Sequence, residues 1–83
     1  NIMPKFMINK QEIHINVKEL EDKMRNMETK KQFRKMHSVE INGKLFPLKQ
    51  PLVVTTGVSP VDITMLEAYL ILEKLGYRIN FHE

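Results

Sequence analysis

The sequence contains no cysteine. Disulfides, thiolate chemistry and cysteine-held zinc are therefore excluded. It also lacks any apolar run approaching the ~20 residues that a membrane-spanning helix needs. Its first residues show no charged start followed by an apolar stretch, so no secretory signal is expected. Together these absences predict a cytoplasmic protein. Glycine is scarce: Gly43, Gly57 and Gly76 stand far apart and compose no phosphate-cradling loop. His14, His37 and His82 lack metal-ligand spacing, so no metal site is expected. Ser38, Thr55, Thr56 and Ser59 show no pattern of activating base and orienting group. The sequence therefore predicts a protein that is not an enzyme, holds no cofactor and has no evident small-molecule substrate.

What is present suits one small globular domain. The chain has 83 residues, of which 42% are apolar and 28% charged. A chain of this size buries only about 60–65% of its surface on folding, so its core is small. No linker divides it, so residues 1–83 read as a single unit. Residues 1–37 hold short strands and a basic helix, and residues 38–83 a hairpin and a two-helix unit. The net charge is +3, and it is uneven. Residues 18–37 carry seven bases against four acids, while residues 51–76 carry Lys74 against Asp62, Glu67 and Glu73.

Phe6, Met7 and Ile8 form a short apolar run, and Ile13, Ile15 and Val17 alternate as in a half-buried strand. The two runs can pair as a hairpin across residues 9–12. Residues 18–36 read as a long helix capped by Asn16, with Glu19 reaching back. Acids at its start and bases at its end match the helix dipole. Asn42-Gly43 between short apolar runs predicts a tight hairpin, because both turn residues tolerate positive φ. Pro51 and Gly57 bracket a short helix. Thr64 and Glu67 form a capping box for a helix ending at Gly76. That helix is apolar almost all round, as a helix central to a core or an interface is. Tyr77, Ile79 and Phe81 alternate with polar residues and predict a closing edge strand. The expected fold is α+β: a long N-terminal amphipathic helix, an Asn-Gly β-hairpin and a compact helix-turn-helix unit, winged-helix-like, with a closing strand.

Residues 40–77 resemble a small module of uncharacterised bacterial and phage proteins. The likeness rests on Ile41-Asn42-Gly43-Lys44, Phe46-Pro47, Lys49-Gln50, Thr56-Gly57, Thr64, Ala68, Leu72 and Leu75-Gly76-Tyr77. The resemblance implies a fold unit and no activity. The module's last helix is more basic, whereas this chain has Leu70, Ile71 and Leu72 there.

Two surfaces are candidates for function. Lys30, Lys31, Arg34 and Lys35, joined by Lys44 on the hairpin tip, would meet a nucleic-acid phosphate backbone. The same bases also suit a solvated helix end. The helix of residues 64–75 weakens this reading, since its start offers Thr64 and Glu67 and no arginine to bases. The second surface is a protein interface along Met24, Met27, Phe33 and Met36, or along the apolar helix ending at Leu75. Methionines at helical spacing also suit a core. A protein partner would fit a phage-type inhibitor of a host defence protein, or a dimerising adaptor forming a homodimer. Nucleic acid is the first expectation and protein binding the second.

Overall fold

Two pairs of adjacent residues with positive φ turn the chain back on itself. The computed structural model describes residues 4–29 and 32–83. Asn9 and Lys10 have φ of 50° and 65°, and Asn42 and Gly43 have 55° and 79°. Two consecutive positive φ values are what a type I′ turn requires, and its twist matches the flanking strands. The first turn joins β1 (Lys5–Ile8) to β2 (Gln11–His14), with Ile8 opposite Gln11. The second joins β3 (Met36–Ile41) to β4 (Lys44–Pro47), with Ile41 opposite Lys44. A third strand, β5 (Ile79–His82), pairs antiparallel with the other side of β3, giving the order β4-β3-β5.

Three helices cover the sheets: α1 (Val17–Met24), α2 (Lys49–Thr56) and α3 (Met65–Lys74). The Asn16 side chain accepts the Glu19 N–H at 3.2 Å and starts α1. Pro51 sits in the first turn of α2, where a missing N–H costs nothing. Thr64 and Glu67 exchange bonds of 3.0 and 2.9 Å, a complete capping box for α3. At the other end Gly76, with φ 94°, donates to the Glu73 carbonyl, and Tyr77 donates to that of Leu72. This is the Schellman closure, which needs a left-handed residue at its centre.

One core draws on every layer. Ile8, Ile15, Leu20, Met24, Val39, Ile41, Phe46, Leu48, Leu52, Ile63 and Leu72 are fully or almost fully buried. Each such side chain contributes about 1.5–3 kcal/mol relative to exposure. Among the described residues no helix is long and apolar enough to cross a membrane.

The long N-terminal helix is corrected: α1 has eight residues and stops at Met24. Beyond Met27 its apolar stripe is not continued, because Asn26 and Thr29 are poor helix formers and the Lys31 position breaks the spacing. The hairpin then takes over the helix end. Lys44 Nζ donates to the Arg25 carbonyl at 3.1 Å, and Asn42 donates to that of Glu21 at 2.9 Å. Met36 and His37, expected at or beyond the helix end, instead extend β3, where β5 supplies their partners.

The winged-helix-like arrangement is corrected as well. A helix-turn-helix needs a turn of about three or four residues. Here residues 57–64 separate α2 from α3 and include a 3-10 turn at Pro60–Asp62. The main packing partner of α2 is α1, not α3. Among the described residues the fold is α+β, with three α-helices and two antiparallel sheets, of two and three strands.

Candidate functional site

Of the residues expected to form a basic surface, Arg34, Lys35 and Lys44 lie among the described residues. Lys30 and Lys31 lie outside the described residues. Arg34 and Lys35 are exposed just before β3. Lys44 pairs with Ile41 at the opposite end of that strand, five steps of about 3.3 Å from Met36, or roughly 17 Å. Its ammonium is engaged by the Arg25 carbonyl, so it closes α1. Lys23 and Lys49 act similarly, donating to the carbonyls of Thr55 and Pro60.

The four residues expected at a protein interface lie in α1 (Met24), in loops (Met27, Phe33) and in β3 (Met36). Met24 is fully buried and Met27 packs partly buried against the same core. Phe33 stacks on His82 with ring centres 4.9 Å apart, and Met36 lies opposite His82 in the sheet. Ser38, completely buried, makes a 2.7 Å bond to the His82 Nε2. Its oxygen is closed to any substrate, so the pair fastens β5 to β3. Among the described residues no group of three or more metal-binding side chains comes together.

What the structure does assemble is an apolar face on α3 and β5. Ala68, Ile71 and Leu72 turn α3 toward the core. The opposite side of the same helix carries Leu66 and Leu70, 67% and 52% exposed, with Met65 beside them. Phe81, 58% exposed, continues the face on β5. His37 bridges the two elements, 5.7 Å edge-on from the Tyr69 ring and 5.0 Å from the Phe81 ring. His37, Leu48, Met65, Leu66 and Tyr69 line an open groove of about 390 Å³. Contiguous exposed apolar side chains of this kind mark interaction surfaces.

The backbone of β5 adds a second feature. Antiparallel strands alternate between residues that bond inward and residues that bond outward. The Glu40 N–H donates to the Arg78 carbonyl at 3.2 Å, which fixes the phase. Asn80 and His82 therefore bond to β3, while Ile79 and Phe81 direct their N–H and C=O groups away from the sheet. The opposite edge is blunted. On β4, Pro47 has no N–H, and the Leu45 carbonyl accepts the Thr29 hydroxyl. On the β1–β2 hairpin the flanks carry charge, with Lys5 to Glu12 at 3.9 Å and Glu12 to His14 at 3.3 Å. Strand β5 is guarded by its four-residue length and carries no proline, lysine or acid besides.

Sequence reasoning anticipates the apolar helix and the closing edge strand. It misses the face they form together, because His37 is assigned to a helix end. No family model matches the chain, and no curated protein or solved structure matches it either.

Proposed function

We propose that the protein is a small non-enzymatic binding module that docks a polypeptide on the face formed by α3 and β5. The observation that carries this reading is the unpaired edge of β5, with Phe81 exposed on it and Leu66 exposed on α3. An extended segment can add to such an edge through main-chain hydrogen bonds, with alternate side chains set into neighbouring apolar surface. The partner class is therefore a polypeptide with apolar residues at alternate positions.

A random-sequence peptide array tests this. Retained peptides should share alternating apolar residues and shift the amide resonances of β5 and α3. Phe81→Asp and Leu66→Asp should abolish retention without unfolding, since both side chains are exposed. Peptides that shift other regions, or none retained, contradict the reading.

Nucleic acid is the second reading, and the exposed Arg34 and Lys35 favour it. A phosphate-binding site would show affinity for DNA that collapses between about 50 and 200 mM salt. It would also be lost in the double variant Arg34→Glu, Lys35→Glu. The docking reading expects no such loss.

A further inference from the structure

We propose that the occupant of the β5 edge is β5 of a second copy of this chain, so that two sheets join across a two-fold axis. The inference rests on the docking reading and names its partner. A two-fold interface must be self-complementary, since each patch meets itself. Strand β5 meets that condition in three ways.

First, its outward-bonding residues are Ile79 and Phe81, so an antiparallel copy can bond only in registers that pair them with each other. Second, the register that sets Ile79 opposite the partner's Phe81 creates two identical apolar cross-strand pairs on the α3 side of the sheet. It also places Asn80 opposite its own copy, where two side-chain amides can bond reciprocally. A slip of one residue would set an inward-bonding residue against Phe81 and lose both pairs. Third, Arg78 precedes the strand and Glu83 follows it. Antiparallel pairing sets Arg78 opposite the partner's His82, one residue from the partner's Glu83.

Size sets a further condition. A stable interface buries about 800 Å² per partner. The monomer exposes 5806 Å², and a four-residue edge alone falls short of that need. The rest must come from flanking apolar side chains, and Phe81 and the outer face of α3 are those the fold leaves exposed. A chain with so small a core also gains from association.

Sedimentation of the full chain from about 10 μM to 1 mM spans the affinities expected of such a contact. A monomer–dimer equilibrium is the expected result. Phe81→Pro removes one outward N–H and the aromatic ring and leaves the β3 ladder untouched, so it should give a folded monomer by circular dichroism. Arg78→Glu should weaken the dimer about threefold, in the range of exposed ion pairs. Adding Glu83→Arg to that variant should restore it. A wild-type monomer throughout, or a dimer indifferent to both Phe81→Pro and the charge exchange, overturns the proposal. A monomer that still captures alternating apolar peptides on β5 removes the second copy and leaves the docking reading standing.

Discussion

Tyr77 shows how one residue ties distant parts of this fold together. Its hydroxyl donates to the Glu21 carboxylate at 3.0 Å and links the end of α3 to α1. Burial first, then that bond and the Glu21 charge, push the phenol well above its ordinary range. The folded state thus holds the proton more tightly than the unfolded chain. The Tyr77 contribution is complete below about pH 10, the unfolded value, and is lost as pH rises beyond it. Tyr77→Phe should cost about 1 kcal/mol at neutral pH, the usual net worth of such a bond. It should also flatten the loss of stability above pH 10. Urea titrations at pH 7 and pH 10.5 check both; an unchanged alkaline slope would assign that slope to other groups.

At the scale of elements, what the sequence makes legible is what short-range chemistry decides. Asn42-Gly43 specifies its turn, Thr64 and Glu67 their capping box, and Gly76 its helix end, each within a few residues. Thr64→Ala should therefore destabilise the protein by about 1 kcal/mol, measured by thermal unfolding. An unchanged midpoint would mean that packing alone fixes the start of α3. The length of α1 is not legible in the same way. It is set by Lys44 and Asn42 capturing carbonyls some twenty residues away in sequence. The extension of β3 depends on β5, which lies more than forty residues further on. A basic, methionine-bearing segment satisfies helical spacing locally, and the tertiary partners override it. The candidate site follows the same division. An apolar α3 and an alternating β5 can be read from the chain, but the blunting of β4 by Pro47 and Thr29 cannot.

For the whole molecule, the consequence is asymmetry. Lys44, Lys23 and Lys49 are spent on the backbone carbonyls of Arg25, Thr55 and Pro60. Charged side chains guard the small sheet, and proline with a hydroxyl guards one edge of the larger one. Apolar exposure and unpaired backbone meet at β5, with α3 alongside. The proposed strand addition rests on this distribution.

Amide hydrogen exchange of β5 in dilute and concentrated solution tests that claim most directly. At high dilution Asn80 and His82 should be protected by β3, while Ile79 and Phe81 exchange as exposed amides do. On concentration Ile79 and Phe81 should gain protection and Asn80 and His82 should change little. Protection of Ile79 and Phe81 at the highest dilution would mean that the edge is already covered within the molecule. Failure of those two amides to gain protection on concentration would contradict strand addition by a second copy.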